Sequence, residues 1–240
     1  MQITIVIPCY NEAGRLKREK FLAFAKQQPS INFLFINDGS KDETLSILSD
    51  MAEECASIQF LDLKENGGKA KAVQQGMLYA QEQGKADYIA FWDADLATPL
   101  YEIFNFTREI SRGDFDMVIG LRLARLGALV KRKNSRHLLG RCFATVASFL
   151  LKLPVYDTQC GAKMFKSEVV NILFEEDFIT RWLFDVEIIT RYTKYFGEEK
   201  AKNSIYEYPL LEWNDVDGSR LKFRDFIKAP IEMLKIRRKY

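Results

Sequence analysis

Two aspartates, Asp93 and Asp95, directly follow the apolar run at residues 88–92 and are separated by one alanine. Carboxylate oxygens suit Mg²⁺ or Mn²⁺, and the ion keeps other coordination positions for phosphate oxygens and water. Two residues apart at a strand end, both side chains can face one rim without both needing to bind metal. The alternative is a pair of solvated aspartates in a turn. The surrounding motifs are needed to distinguish this interpretation from a metal site.

Two polar segments stand at the ends of the first two apolar runs. The first is Ile-Pro-Cys-Tyr-Asn-Glu at residues 7–12, and the second is Asn-Asp-Gly-Ser-Lys-Asp at residues 37–42. Asp38 can accept a hydrogen bond from a base or a ribose, and the glycine after it permits a tight turn and close approach. A purely structural alternative is that Ser40 or Asp42 caps the next helix.

A third segment, Asn-Gly-Gly-Lys-Ala-Lys at residues 66–71, opens a helical pattern after the third apolar run. A glycine turn, a helix amino terminus and lysines together make an anion-facing surface, with Gly68 and Lys69 at its centre. Many helices begin in this way, so this segment supports the other motifs and does not stand alone.

The elements that must position these residues alternate along the first half of the chain. Predicted strands cover residues 3–7, 33–37, 58–61, 88–92 and 117–120, and predicted helices lie near residues 14–27, 43–55, 69–83 and 100–111. This alternation predicts an α/β fold, a mainly parallel sheet with helices on both faces. Because ligands bind at the carboxyl ends of such strands, the loops at 8–12, 38–42 and 93–99 should share one rim.

The second half is less regular. It predicts helices at residues 136–151, 167–174 and 184–195 and strands at 162–165 and 204–208. After residue 220, apolar residues recur at helical spacing among basic ones, and Pro230 should kink or interrupt this helix. With no repeat or linker, we expect one domain at residues 1–218 and a basic amphipathic tail at 219–240.

Composition limits the classes of protein to consider. No apolar run approaches the roughly 20 residues of a membrane-spanning helix, and the chain enters a strand pattern at once, so neither a transmembrane helix nor a signal peptide is expected. Four scattered cysteines and one histidine give no zinc spacing and no disulfide framework, which favours a cytoplasmic setting. Cys160 is better explained as a small buried residue than as a nucleophile.

Basic charge is concentrated in two segments. Residues 122–141 carry seven Lys or Arg and no acidic residue, and residues 220–240 carry eight basic and two acidic residues. This asymmetry indicates an anionic partner, although solvated helix faces are the alternative. No nucleic-acid-binding module accompanies the basic segments, so nucleic acid is not expected, and the oligomeric state is open.

The order of these motifs resembles the family 2 glycosyltransferases over most of the chain. The resemblance implies a GT-A fold, Asp38 at the nucleotide base, Asp93 near the ribose or the metal, and Asp95 as ligand of Mg²⁺ or Mn²⁺. It also implies a nucleotide-sugar half at residues 1–120 and an acceptor half at 121–218. The predicted donor-site residues are Pro8, Tyr10, Glu12, Asp38, Gly68, Lys69, Asp93 and Asp95.

Two further segments narrow the resemblance. Asp-Thr-Gln-Cys-Gly-Ala-Lys-Met-Phe at 157–165 and Arg-Trp-Leu-Phe-Asp-Val-Glu at 181–187 are similar to two signatures of the dolichyl-phosphate β-glucosyltransferases. Residues 120–122 and Arg136 match the basic segment of that subgroup. The implied reaction moves glucose from UDP-glucose to a polyprenyl phosphate, with inversion at the anomeric carbon. The basic tail, with apolar residues interleaved, would attach the protein to the cytoplasmic face of a membrane.

A phosphomonoester acceptor needs to be held more than deprotonated, because its second pKa is near 6. Arginines suit this task through forked hydrogen bonds to phosphate oxygens, which makes Arg122 and Arg136 the predicted clamps and Arg132 a further candidate. The predicted acceptor residues are Arg122, Arg132, Arg136, Asp157, Gln159, Arg181 and Trp182, and the predicted catalytic residues are Asp95, Arg122, Arg136 and Asp185.

Several alternatives stay open. A hydroxyl acceptor, such as a cell-envelope saccharide, would require a general base, for which Asp185 or Glu187 is placed. GDP-mannose is the rival donor, and a non-catalytic nucleotide-sugar-binding protein is the rival of another class. Asp157 can instead cap a turn, and the pair at residues 181–182 can instead anchor a loop.

Overall fold

The computed structural model describes residues 1–131, 134–216 and 223–240; the side chains of residues 134–142, 223–228 and 230 lie outside the description. The strands are β1 (Ile3–Cys9), β2 (Ile31–Asp38), β3 (Ile58–Leu63), β4 (Tyr88–Trp92), β5 (Met117–Leu121), β6 (Leu129–Lys131), β7 (Ala162–Lys166), β8 (Ile205–Pro209) and β9 (Glu212–Asn214). The helices are α1 (Arg18–Gln27), α2 (Thr44–Glu54), α3 (Lys69–Glu82), α4 (Glu102–Gly113), α5 (Asn134–Leu151), α6 (Ser167–Phe174), α7 (Phe184–Phe196), α8 (Glu198–Ser204) and α9 (Phe223–Lys239).

Seven strands form one sheet in the order β3-β2-β1-β4-β7-β5-β8, and β6 pairs with β9 in a second, two-stranded sheet. Strand β1 is parallel to β2 on one side, where Ile3 faces Ile31, and parallel to β4 on the other, where Ile3 faces Tyr88. The order of the strands therefore reverses beside β1, and such a switch point is where α/β sheets bind ligands. The predicted α/β fold with a mainly parallel sheet is confirmed.

The central strands are continuous apolar runs in the sequence because both faces of the sheet are buried there. Ile5, Val6 and Ile7 of β1 are all fully buried, inward and outward positions alike, as expected for a parallel strand packed on both faces. Helix α1 covers β2 with Phe21, whose ring meets Phe33 and Phe35 edge to face at centroid distances of 5.5 and 5.0 Å.

The described chain divides into two compact units. The first unit is Met1–Leu96 with Met164–Asp177, and the second is Ala97–Lys163 with Phe178–Tyr240. The expected boundary between residues 218 and 219 lies outside the described residues, and the proposed division into domain, halves and tail stays a prediction.

Three local expectations need correction. Helix α1 begins at Arg18 and not near residue 14, because the carbonyl of Glu12 accepts the amides of Arg15 and Leu16 in a separate turn. Helix α8 and the three-residue strands β6 and β9 were not predicted, since so short an element shows no periodicity. Helix α9 is continuous through position 230, so the expected interruption is wrong, while a kink at Pro230 stays a prediction.

Tertiary packing stabilises α9 as one continuous helix. Ala229, Met233 and Ile236 form a buried stripe at helical spacing, and the helix contacts α5 and α7 within the second unit. Loss of one amide donor at a proline is outweighed by this burial and by the remaining hydrogen bonds of the helix. None of the helices in the described ranges is long and apolar enough to cross a membrane.

Candidate functional site

In the first unit, the loops that follow β1 and β2 are tied to each other. The amide of Asn11 donates to Ser40 Oγ at 3.0 Å, and the amide of Lys41 donates to Asn11 Oδ1 at 2.8 Å. Asn11 adopts a left-handed conformation, φ 49°, which asparagine tolerates better than most residues. The expectation that these two loops share a rim is confirmed.

The buried carboxylate of Glu12 forms a forked ion pair within its own loop. Its Oε1 and Oε2 accept Arg15 Nη2 and Nε at 2.5 and 2.9 Å. The hydrogen bonds that Arg15 donates to Glu12 raise the pKa of Arg15, burial partly offsets this shift, and the charges of Glu12 and Asp95 raise the pKa further. Arg15 therefore acts electrostatically on Asp95. It was not predicted, although the spacing of three residues from Glu12 was a usable signal.

Asp38 holds the turn that precedes α3. Its Oδ1 accepts the amide of Gly67 at 2.8 Å, and its Oδ2 accepts the amide of Gly68 at 2.9 Å and Asn66 Nδ2 at 3.1 Å. Gly68 has φ 85°, a conformation that L side chains rarely adopt. Asp38 is buried in this arrangement, so it fixes the Asn66–Gly68 segment, and its role at a nucleotide base stays a prediction.

Asp93 follows β4 directly, at the carboxyl end of that strand, and Lys69 of α3 forms an ion pair with it. The distance from Lys69 Nζ to Asp93 Oδ1 is 2.5 Å, with 41% and 38% of the two side chains exposed. Leu96 closes the turn with φ 54° and donates its amide to the Asp93 carbonyl at 3.3 Å. A left-handed non-glycine residue beside candidate metal ligands is the kind of local strain found at functional sites.

The aspartate pair fits a divalent cation that arrives with a diphosphate. Among the residues that the structure describes, no group of three or more His, Cys, Asp or Glu could hold a metal ion by itself. The carboxylates of Asp93 and Asp95 are nevertheless the hard oxygen donors that Mg²⁺ and Mn²⁺ prefer, and Mg²⁺ is ordinarily held by one or two carboxylates together with substrate phosphates.

In the second unit, two of the predicted acceptor residues bind each other. Arg122 Nε and Nη2 donate to Asp157 Oδ2 and Oδ1 at 2.6 and 2.7 Å, and the Arg122 guanidinium lies 5.4 Å from the centre of the Trp213 ring. The carboxylate of Glu207 accepts the amides of Tyr156 and Asp157 at 2.9 and 2.8 Å. The guanidinium is thus oriented, and its contact with an acceptor phosphate stays a prediction.

The buried polar atoms of the second unit that have no hydrogen-bond partner in the described structure include Thr158 Oγ1, Gln159 Nε2 and Thr180 Oγ1. Such groups are rare and call for an explanation, a bound ligand among them. Gln159 is a predicted acceptor residue, and its amide nitrogen is a donor that an anionic oxygen would satisfy.

Asp185 forms a buried ion pair with Lys163. Lys163 Nζ donates to Asp185 Oδ1 at 2.5 Å and to the carbonyl of Cys160 at 2.7 Å, and both charged side chains are almost fully buried. The carboxylate is thus already engaged by an adjacent ammonium. Glu187, the other candidate base, accepts Arg191 Nη2 at 2.9 Å and the amide of Ile179 at 3.0 Å.

Cys160 is fully buried, and burial raises the pKa of its thiol to about 11. A thiol in this state is a poor nucleophile at neutral pH. The expectation that Cys160 has a packing role is confirmed.

The remaining predicted residues are scattered. Pro8 and Tyr10 are half-buried where β1 ends, Arg181 is exposed, and the Trp182 ring lies 5.5 Å from that of Phe143. Arg132 lies outside the described residues, and Arg136 is in α5 with its side chain outside the description. Four residues of these arrangements were not predicted: Arg15, Asn66, Lys163 and Glu207. Asn66 and Lys163 stood without an assigned role inside the quoted segments at 66–71 and 157–165.

Known proteins resemble the chain in sequence. A dolichyl-phosphate β-glucosyltransferase of Trichomonas vaginalis is 30% identical over 97% of this chain and 70% of that protein. A dolichyl-phosphate β-glucosyltransferase of Saccharomyces cerevisiae is 28% identical over 99% of this chain and 75% of that protein.

Solved structures resemble the fold at low sequence identity. Mannosyl-3-phosphoglycerate synthase from Rubrobacter xylanophilus has a TM-score of 0.72 at 14% identity, covering 100% of this chain and 73% of the other. Glucosyl-3-phosphoglycerate synthase from Mycobacterium tuberculosis, in complex with Mn²⁺ and UDP-glucose, has a TM-score of 0.70 at 14% identity. The match covers 98% of this chain and 78% of the other. These likenesses establish the GT-A fold.

The family model "Glycosyl transferase family 2" matches residues 4–174. The matched region contains strands β1 to β4, the Lys69–Asp93 pair and the Arg122–Asp157 pair. Together with the relatives that span nearly the whole chain, this match shows that the protein belongs to glycosyl transferase family 2.

Proposed function

We propose that this protein is a metal-dependent, inverting glucosyltransferase that moves glucose from UDP-glucose to a polyprenyl (dolichyl-type) phosphate. The observation that carries the proposal is that dolichyl-phosphate β-glucosyltransferases match 97–99% of the chain. The exposed charges of Asp93 and Lys69 where β4 ends support a diphosphate-binding role for the first unit.

On the donor side, each charged residue has a separate task. Asp95, with Asp93 beside it, would hold Mg²⁺ or Mn²⁺, which supplies positive charge to the departing diphosphate when bound. Lys69 adds a compact positive charge for the phosphates. The turn that Asp38 fixes through the amides of Gly67 and Gly68 keeps the amino terminus of α3 in place for an anionic ligand.

On the acceptor side, the chemistry needs positioning and little proton transfer. A phosphate oxygen of the acceptor forms the bond to the anomeric carbon as the bond to the diphosphate oxygen breaks, so a single displacement inverts that carbon. Arg122, held by Asp157, would orient the acceptor phosphate. Gln159 Nε2 would donate to it, and Arg132 and Arg136 are further proposed contacts.

The state of Asp185 favours a phosphate acceptor over a hydroxyl acceptor. A hydroxyl would need a base, but Asp185 is held by the buried ammonium of Lys163 at 2.5 Å, and Glu187 is held by Arg191 at 2.9 Å. A phosphate is already anionic at neutral pH and needs neither carboxylate.

A lipid acceptor also requires access to a membrane surface, which we assign to α9 and α5. On α9, Ile231 and Leu234 are 59% and 52% exposed, and Lys235, Arg237 and Arg238 are exposed beside them. On α5, which contacts α9, Phe149 is 83% exposed. Apolar side chains flanked by basic ones suit the interface of an anionic membrane.

A donor screen tests the proposal. Purified protein, Mn²⁺ and detergent-dispersed polyprenyl phosphate are incubated with radiolabelled UDP-glucose or GDP-mannose, and the organic extract is counted. We expect label from UDP-glucose alone. Label from GDP-mannose alone would assign the rival sugar. Label that reaches a saccharide but no lipid would contradict the acceptor assignment, and nucleotide-sugar binding without transfer to any acceptor would favour a binding protein.

A further inference from the structure

We propose that Lys69 controls the order in which the proposed donor site fills. Without donor, its ammonium occupies Asp93 and lowers the affinity of the aspartate pair for a divalent cation. When a nucleotide diphosphate binds, the ammonium of Lys69 moves from Asp93 to a phosphate oxygen. The carboxylate of Asp93 is then available to bind the cation. This inference rests on the proposed function for the identity of the donor.

The first support is the charge around the two aspartates. Lys69 Nζ lies 2.5 Å from Asp93 Oδ1, and Asp95 interacts electrostatically with Arg15, whose own fork is committed to Glu12. Asp93 is therefore partly neutralised within the first unit before any ligand is present. A divalent cation therefore meets less negative charge at Asp93 than a carboxylate without the ammonium would offer.

The second support is that only a side chain has to move. Lys69 is the first residue of α3, directly after Gly68, and the amides of Gly67 and Gly68 are bound by the buried Asp38. The backbone position of Lys69 is thus fixed, while its flexible four-carbon stem can swing between two acceptors.

The third support is the exposure of the pair. With 41% of Lys69 and 38% of Asp93 exposed, water screens their attraction and the ion pair is weak. A diphosphate carries more negative charge than one carboxylate, so it competes successfully for the ammonium. Cation and nucleotide should consequently bind with positive coupling, each raising the affinity for the other.

Lys71 provides a matched control. It lies two residues further along α3, is also 41% exposed, and pairs at 2.5 Å with an aspartate, Asp177, that is not part of the proposed donor site. Lys69→Met and Lys71→Met remove the same charge from the same helix, and only the first releases Asp93.

The test measures binding of Mn²⁺ alone, from the electron paramagnetic resonance signal of the free ion, and binding of UDP in the presence of Mn²⁺ by calorimetry. We expect Lys69→Met to bind Mn²⁺ alone about threefold more tightly than the wild type, since the ion pair that it removes is weak, and to bind UDP about tenfold more weakly, so that the coupling factor falls. Lys71→Met should match the wild type, and Lys69→Met with Asp93→Asn should lose the gain in Mn²⁺ affinity.

Unchanged or weaker Mn²⁺ binding by Lys69→Met, in protein whose circular dichroism matches that of the wild type, would overturn the inference, as would an equal gain in Lys71→Met. No step of this test uses sugar transfer or lipid. A failed donor screen with the expected Mn²⁺ result would therefore reject the glucose assignment and leave the role of Lys69 standing.

Discussion

One arginine in each of the two candidate sites is held in a fixed ion pair before any substrate binds. Glu12 orients Arg15, and Asp157 orients Arg122 through two hydrogen bonds of 2.6 and 2.7 Å. Groups whose positions are already set lose little free energy of reorganisation when charge develops on a substrate. Substitutions that keep the positive charge but lose the pair of hydrogen bonds to the carboxylate should therefore change substrate binding measurably.

Arg122→Lys keeps the positive charge but cannot form the forked contact with Asp157. We expect the KM for polyprenyl phosphate to rise about tenfold, a loss of about 1.4 kcal/mol, while the affinity for UDP stays unchanged. Steady-state kinetics with varied lipid phosphate, and calorimetry with UDP, check this. Arg108→Lys, at an exposed arginine of the same unit, is the control. An unchanged lipid KM in Arg122→Lys would remove Arg122 from acceptor binding.

Asp185→Asn separates a structural carboxylate from a catalytic base. The substitution removes the carboxylate that Lys163 contacts in a buried ion pair, so we expect a loss of about 3–5 kcal/mol in the free energy of unfolding. Urea unfolding measures this loss, and the double substitution Lys163→Met with Asp185→Leu should recover most of it. The folded fraction of Asp185→Asn should keep near-normal turnover per molecule. A stable variant that has lost turnover would restore Asp185 as a base.

The sequence could single out charged residues as candidates for substrate binding but not the pairs in which they are held. Lys69 and Asp93 are 24 residues apart, and Lys163 and Asp185 are 22 residues apart. Such pairing depends on how the strands and helices meet, which no local pattern encodes. Glu12 and Arg15, three residues apart, are the exception that a local pattern does encode.

At the scale of elements, burial decides what could be predicted. Strands β1, β2 and β4 are buried along almost their whole length and are apolar runs in the sequence, so their positions and the loops after β1 and β2 were predicted. Strands β6 and β9 have three residues each and exist because they pair with each other, Val130 facing Trp213. Their hydrogen bonds are long-range in sequence, and no periodicity reveals them.

Strand β8 carries a pH-dependent contribution to stability. Burial raises the pKa of Glu207 above its ordinary value of 4.5, although the amides of Asp157 and Tyr156 oppose the shift. Because the native protein then binds more protons than the unfolded chain, stability falls as pH rises from about 4.5 through the raised pKa.

Glu207→Gln should remove this decline. We expect the difference in the free energy of unfolding, wild type minus Glu207→Gln, to decrease between pH 4.5 and pH 8. Urea unfolding at a series of pH values measures it, and other titrating groups cancel in the difference. A difference that increases with pH would mean that the fold stabilises the charged carboxylate and lowers the pKa of Glu207, which is the opposite of the expected shift.

At the scale of the whole molecule, basic charge and exposed apolar side chains coincide in the second unit. Ile231, Leu234 and Phe149 are exposed, and the carboxyl-terminal segment at residues 220–240 carries eight basic residues. The sequence predicted an amphipathic basic helix here. Which of its faces is buried became clear only from the packing of Ala229, Met233 and Ile236.

Vesicle flotation tests the membrane role of α9. Wild-type protein should float with vesicles containing phosphatidylserine more than with neutral vesicles, and less at high salt, because basic side chains and screening set the attraction. Ile231→Ser with Leu234→Ser should reduce flotation severalfold. Phe104→Ser, at a comparably exposed residue of α4, should not. Equal flotation by both variants would place the membrane contact elsewhere on the molecule.

The most direct measurement of the central claim is the initial rate of transfer of labelled glucose from UDP-glucose to polyprenyl phosphate by the wild type and by Asp95→Asn, with Mn²⁺ present. The claim predicts that the wild type labels the lipid and that Asp95→Asn, folded to the same extent, loses at least about a hundredfold in rate, roughly 2.7 kcal/mol of transition-state stabilisation. Equal rates for the two proteins, or no labelled lipid from the wild type, would contradict it.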